Sequence, residues 1–96
     1  MKDLLSRAAI DRWLGATTGW ELDQDALAKE FRLPTFPAAI AFVNRVAELA
    51  EEAQHHPDID VRYDRVRLRL SSHDAGGVSQ RDVALAENIE RVAAAR

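Results

Sequence analysis

Ile59-Asp60-Val61-Arg62-Tyr63-Asp64-Arg65-Val66-Arg67-Leu68-Arg69-Leu70 decides how this chain folds, because one strand pairing satisfies both of its faces. Read as a hairpin with Asp64-Arg65 as its two-residue loop, the segment pairs Tyr63 with Val66, Val61 with Leu68 and Ile59 with Leu70. Those six side chains share one apolar face. The opposite face sets Arg62 against Arg67 and Asp60 against Arg69. Successive side chains of a strand alternate between faces, so this pattern predicts an antiparallel sheet with one face buried and one wet.

Upstream, Thr35 to Gln54 reads as a long helix, with Thr35 as its cap and Pro37 in the first turn, where a missing N–H costs nothing. Phe36, Ile40, Val43, Ala47 and Ala50 form one apolar stripe, and Phe42, Val46 and Leu49 widen it. A stripe that broad predicts burial against the sheet and a second surface for a partner subunit. Further upstream, the segments Thr17 to Leu22 and Leu27 to Leu33 flank the polar cluster Asp23-Gln24-Asp25, which predicts a first hairpin. Asp3 to Leu14 reads as a first helix, with Leu5, Ala8, Ala9 and Trp13 at helical spacing and Gly15 as its stop. A last helix begins at Ser79, where Ser79-Gln80-Arg81-Asp82 has the spacing of a capping box; Val83, Ala86, Ile89 and Ala93 are its buried stripe. The expected fold is α+β: a four-stranded antiparallel sheet with three helices packed on one face, in the order α-β-β-α-β-β-α.

The whole chain, residues 1–96, is short enough for a single domain, and a core of that size favours self-association. Hydrophobic residues make up 47% and charged residues 30%, a globular rather than a disordered mix. Cysteine is absent, which excludes disulfides and thiolate metal sites. With 13 Lys and Arg against 16 Asp and Glu, the net charge of −3 argues against direct nucleic-acid binding, which draws its affinity from neutralising phosphates. Charges interrupt the apolar positions of the N-terminal stretch and no apolar run reaches membrane-spanning length. No membrane association is expected, and the cytoplasm is the expected compartment.

The chain has three histidines. His55 and His56 are adjacent, between the long helix and the second hairpin, and Pro57 biases His56 away from helical geometry. His73 lies just beyond the last strand, in a loop with Gly76 and Gly77. Entry to the third strand and exit from the fourth are neighbours in an antiparallel hairpin, so all three imidazoles are expected at one end of the sheet. Imidazole titrates near neutral pH and can give or take a proton there. Glu51 lies one helical turn before His55 and is a candidate to orient that ring, and Asp82 is a further one.

Plainer readings exist for each. Histidines at a helix end also satisfy loose carbonyls, Asp82 fits a capping role, and Glu51 fits a solvated helix surface. A metal site on His55, His56, His73 and Glu51 is the rival chemistry, but adjacent residues of an extended segment point in opposite directions, which hinders joint chelation by His55 and His56. Gly76-Gly77 ahead of a helix suggests an anion site or simply a turn. Arg62, Arg65, Arg67 and Arg69 form a basic patch that Asp60 and Asp64 can neutralise.

The run Glu51-Glu52-Ala53-Gln54-His55-His56-Pro57-Asp58, then Tyr63, then Val66 to His73, then Ser79-Gln80-Arg81-Asp82, resembles the pterin-4a-carbinolamine dehydratase family. Gly19-Trp20 and the stretch Phe31 to Val46 are similar to family positions too, so the resemblance extends over about residues 18 to 93. It implies dehydration of 4a-hydroxytetrahydropterin, the spent cofactor of aromatic amino-acid hydroxylases, to the quinonoid dihydropterin, with no metal and no organic cofactor. It also implies a homodimer or homotetramer assembled through sheet edges and helix faces. By this resemblance His55 and His73 are the acid–base pair, His56 binds or orients substrate, Glu51 and Asp82 support them, Pro57 shapes the turn, and Arg81 and Trp20 are pocket residues; the plainer reading of Trp20 is a core tryptophan. Two positions depart from the pattern: Ile59 stands where animal members carry tryptophan, and Ser72 where threonine is commoner. Relatives on this scaffold also serve as dimerisation partners of a transcription factor or in RuBisCO assembly, so a non-catalytic binding module is the alternative function.

Overall fold

A computed structural model describes residues 4–95. Its elements are α1 (Arg7–Gly15), β1 (Glu21–Asp23), β2 (Ala26–Arg32), α2 (Phe36–Ala53), β3 (Asp58–Arg62), β4 (Arg65–Leu70) and α3 (Gln80–Ala95). The strands form one antiparallel sheet in the order β1-β2-β4-β3. This is the expected α+β fold and element order.

One face of the sheet carries Leu27, Phe31, Val66, Leu68 and Leu70, all buried, and a single core joins them to Ile10 of α1, Phe42 and Val46 of α2, and Leu85 and Ile89 of α3. The other face is a lattice of charges. Arg67 reaches Glu21 and Asp23, Arg69 reaches Asp23, Asp25 and Asp58, Arg62 pairs with Asp60, and Arg65 with Glu30. The arginine patch is therefore neutralised largely from strands outside its own hairpin, while Asp64 turns to Arg32.

The decisive hairpin forms with a two-residue correction in register. Val61 pairs with Val66 and Ile59 with Leu68, and the loop is Tyr63-Asp64, not Asp64-Arg65. A slip of two residues leaves every side chain on its face, so the alternation is satisfied equally by both registers. The turn itself decides: Tyr63 takes a left-handed φ of 59°, and the Leu33 amide donates to the Asp64 carbonyl at 2.8 Å, tying the turn to the end of β2. Tyr63 consequently leaves the sheet face, 72% exposed, and stacks parallel to Phe36 with ring centroids 6.3 Å apart.

Other boundaries move for local reasons. α1 starts one turn later than expected, capped by Ser6, whose hydroxyl accepts from the Ala9 amide; the expected first residue, Asp3, lies outside the described residues. Leu4 instead bridges to Ser79, and the Leu5 amide donates to the Val78 carbonyl, so the N-terminal segment braces the loop ahead of α3. β1 is shorter than expected, because Gly19 takes a φ of 86° and lets Lys29 reach the Thr18 carbonyl; a Cβ there would lie 2.8 Å from the lysine Cε.

α2 runs as expected, with Thr35 accepting from the Ala38 amide. Its buried stripe is Ala39, Phe42, Val46 and Ala50, of which Phe42 and Val46 come from the flank of the expected stripe and Ala50 from its centre, while Phe36, Ile40 and Ala47 are left exposed.

The first hairpin turns through Gln24, another non-glycine residue with a left-handed φ, 59°. Such a conformation costs an L-residue about 1–2 kcal/mol, and glycine carries an entropic penalty of about 0.5–1 kcal/mol. Gln24→Gly is therefore expected to raise stability by about 0.5–1 kcal/mol, read as a higher urea midpoint at unchanged slope.

Candidate active site

α2 ends at Gln54, which adopts the left-handed cap conformation (φ 54°, ψ 41°) and swings the chain off the helix axis. His55 and His56 follow, outside any helix or strand, and their rings diverge. His55 turns inward, its side chain only 11% exposed, and its Nε2 lies 2.5 Å from Oδ1 of Asp82. His56 turns outward, 63% exposed, and its Nε2 donates to Oε1 of Glu51 at 2.9 Å. The carboxylate on the preceding helical turn thus serves His56. The expected pairing of Glu51 with His55 is corrected, because the left-handed residue between them breaks the helical face they would have shared.

Asp82 sits on the first turn of α3 and its side chain is fully buried. Its Oδ2 receives the Ser79 amide at 2.8 Å and the Ser72 hydroxyl at 2.9 Å. The first of these is the backward arm of the expected capping box. The forward arm differs: Ser79 Oγ accepts from the Arg81 amide at 3.2 Å. Capping and histidine binding are therefore not alternatives, since one oxygen of Asp82 caps the helix and the other faces His55. The helix N-terminus is filled by these side chains, which leaves Gly76-Gly77 as a turn, with Gly76 at a φ of 81°.

Between the end of α2, the end of β4 and the start of α3 lies a cavity of about 420 Å³. His55, His56, His73 and Arg81 line it, together with Gln54, Ser71, Ser72 and Asp74. Asp74 grips the Arg81 guanidinium with both carboxylate oxygens, at 2.9 and 3.1 Å. A cavity of about 360 Å³ alongside α2, lined by Pro34, Ala38, Ala41, Phe42, Arg45 and Val92, is apolar and contains no group that exchanges protons near neutrality.

Of the residues the sequence singles out, the structure brings His55, His56, His73 and Arg81 to the cavity, with Asp82 and Glu51 behind two of the rings. Pro57 is partly buried where the chain enters β3. Trp20 does not line the cavity. It is buried in the core between Trp13 and Phe31, and its Nε1 donates to Glu90 at 2.9 Å.

Ser72 was visible in the sequence only as a departure from a family pattern. A stronger signal was available: the burial of Val66, Leu68 and Leu70 continues with period two onto Ser72, and a polar group at a core-facing position requires a buried partner.

Three imidazoles around an open cavity, one of them anchored on a buried carboxylate, make a site suited to moving protons on a small molecule. The chain belongs to the pterin 4 alpha carbinolamine dehydratase family, whose profile it matches over residues 3–92. It is 53% identical over 88 residues to a protein of Chloroflexus aurantiacus that carries the provisional name pterin-4-alpha-carbinolamine dehydratase, covering 92% of this chain and 95% of that one. A Thermomicrobium roseum protein with the same provisional name is 52% identical over 89 residues, covering 93% and 96%. Among solved structures, a transcriptional coactivator/pterin dehydratase from Brucella melitensis superposes with a TM-score of 0.88 at 28% identity, over 93% of this chain and 97% of that one. A pterin dehydratase-like RuBisCO assembly factor of the α-carboxysome shares the fold, with a TM-score of 0.64 at 24% identity over 77% and 86%.

Proposed function

We propose that this protein is a hydro-lyase that converts 4a-hydroxytetrahydropterin to quinonoid dihydropterin and water, recycling the cofactor of aromatic amino-acid hydroxylases. The observation that carries this reading is the His55–Asp82 pair opening onto the same cavity as His73.

The chemistry needs one proton delivered to the departing 4a-hydroxyl and one removed from a ring nitrogen. Nε2 of His55 donates to the Asp82 carboxylate, so in the neutral ring the lone pair is on Nδ1. Nδ1 has no partner among the described residues and is not closed off from solvent, which suits it to accept the ring-nitrogen proton. His73, exposed at the cavity, then protonates the leaving hydroxyl. The two transfers balance, and water is the second product. His56, oriented by Glu51, and Arg81, held by Asp74, bind the pterin.

The test is the decay of 4a-hydroxytetrahydropterin absorbance in a phenylalanine hydroxylase reaction, with and without this protein. Acceleration is expected. A decay rate unchanged by the protein would overturn the reading and leave the scaffold as a binding module.

The same reading includes a homo-oligomer in the cytoplasm. Phe36, Ile40 and Tyr63 are exposed together on the outer side of α2, an apolar surface that a second copy would cover. Sedimentation is expected to give a dimer or tetramer that Ile40→Asp shifts towards monomer. A wild-type protein that sediments as a monomer at micromolar concentration would remove this part of the proposal. Among the described residues no helix is long and apolar enough to cross a membrane.

A further inference from the structure

We infer that Ser72, acting with Ser79, is a positioning residue that orients His55 through Asp82, an inference that rests on the dehydratase reading for its effect on rate. Ser72, Ser79 and Asp82 are all buried, and no buried side-chain polar atom among the described residues is left without a hydrogen bond. Their hydrogen bonds can be assigned direction by counting protons. Asp82 as a carboxylate only accepts; the Ser72 hydroxyl is 2.9 Å from Oδ2 and the Ser79 hydroxyl 3.4 Å, so the nearer, Ser72, gives its single proton to Oδ2. The 2.6 Å contact between the two serine hydroxyls must then be donated by Ser79. Ser79 Oγ in turn accepts from the Arg81 amide. The result is a one-way chain: Arg81 N–H to Ser79 Oγ, Ser79 O–H to Ser72 Oγ, Ser72 O–H to Asp82 Oδ2.

That chain, with the Ser79 amide, occupies Oδ2 and fixes the carboxylate plane, leaving Oδ1 for His55 Nε2. A carboxylate held in this way selects one imidazole tautomer, with the proton on Nε2 and the lone pair on Nδ1. Ser72 is also anchored by its backbone: its amide donates to the Gly77 carbonyl at 2.9 Å, and its own carbonyl receives the Ala75 and Gly76 amides. Removing the hydroxyl therefore leaves the loop's backbone bonds in place while Asp82 Oδ2 keeps only its Ser79 contacts and the carboxylate plane is held less firmly. Ser72 touches Asp82 directly and acts on His55 through it, which makes it a positioning group.

Two readouts test this, one independent of activity. The ring nitrogen shifts of His55, measured by NMR on the neutral ring, are expected to report proton on Nε2 in the wild type and a mixture of tautomers in Ser72→Ala. In the dehydration assay, S72A is expected to lower kcat about threefold to tenfold at unchanged KM, because the carboxylate that positions His55 loses one of its hydrogen bonds and keeps the others. Ser72→Thr, which keeps the hydroxyl, is expected to restore both.

Unchanged His55 shifts in a folded S72A protein would overturn the inference, whatever the rate does. If S72A does not fold, Ser72→Cys reads the same shifts, because it keeps a side chain of similar size but replaces the hydroxyl by a weak donor, and unchanged shifts there overturn it equally. Shifts that change as expected in a protein without dehydratase activity would sustain the positioning role and overturn the proposed function instead.

Discussion

Alanine at both His55 and His73 is expected to slow dehydration about a hundredfold to ten-thousandfold, the usual weight of positioned acid–base groups. The single variants separate the roles. His73 is exposed and none of the hydrogen bonds or ion pairs described above involves its ring, so His73→Ala should leave the urea midpoint where it is and reduce kcat alone. His55→Ala also deprives the buried Asp82 of the partner on Oδ1, so it should lose about 1–3 kcal/mol of stability in addition to rate. Stopped-flow decay of the hydroxypterin, beside urea denaturation of each variant, checks both. Full activity in the double variant would remove the histidines from the mechanism.

The second large effect is at Asp82. In Asp82→Ala the Ser79 amide, the Ser72 hydroxyl and the His55 ring all lose their common acceptor in a fully buried position. Removing one member of such a buried charged network costs about 3–5 kcal/mol, a large part of the roughly 5–15 kcal/mol expected for a small domain. A marked fall in the urea midpoint is expected. Asp82→Asn dissects this further, because it keeps the shape. With its carbonyl oxygen turned to Ser72 and the Ser79 amide, the new amino group faces His55 Nε2 and forces that nitrogen to accept. The imidazole proton moves to Nδ1, which then has no lone pair for the substrate. D82N is therefore expected to melt much nearer the wild type than D82A and yet to lose about a hundredfold or more in kcat, as wrong-tautomer variants of Asp–His pairs do. Equal losses of stability in the two variants would show that the carboxylate charge, not the tautomer, is what the site needs.

Strand alternation and capping patterns are legible in the sequence alone. The apolar face of Ile59 to Leu70, Thr35 with Pro37 at the head of α2, and Ser79 with Asp82 at the head of α3 are local signals, and each is realised in the fold except at Tyr63, which the turn removes from that face. The stripe on α2 was legible as broad but not in its orientation. Which flank is buried depends on α3 and the sheet arriving against Phe42 and Val46, and Phe36 and Ile40 are left outside.

What the sequence by itself determined is therefore the α+β element order, which face of each strand is wet, and the placing of His55, His56 and His73 around one hairpin end. These follow from periodicity and from connections too short to allow another arrangement. The hairpin register was decided by tertiary structure alone, because a two-residue slip conserves every face; only the Tyr63 conformation and the Leu33–Asp64 bond distinguish the alternatives. The histidine partners were decided in the same way. Spacing along α2 pointed Glu51 at His55, but the left-handed Gln54 undoes that spacing and the partner comes from Asp82, 27 residues away on another helix. Local pattern carries which groups can reach one end of the sheet. The direction each ring faces depends on backbone geometry at a single residue and on a buried carboxylate oriented by two serines, and neither leaves a periodic trace in the sequence.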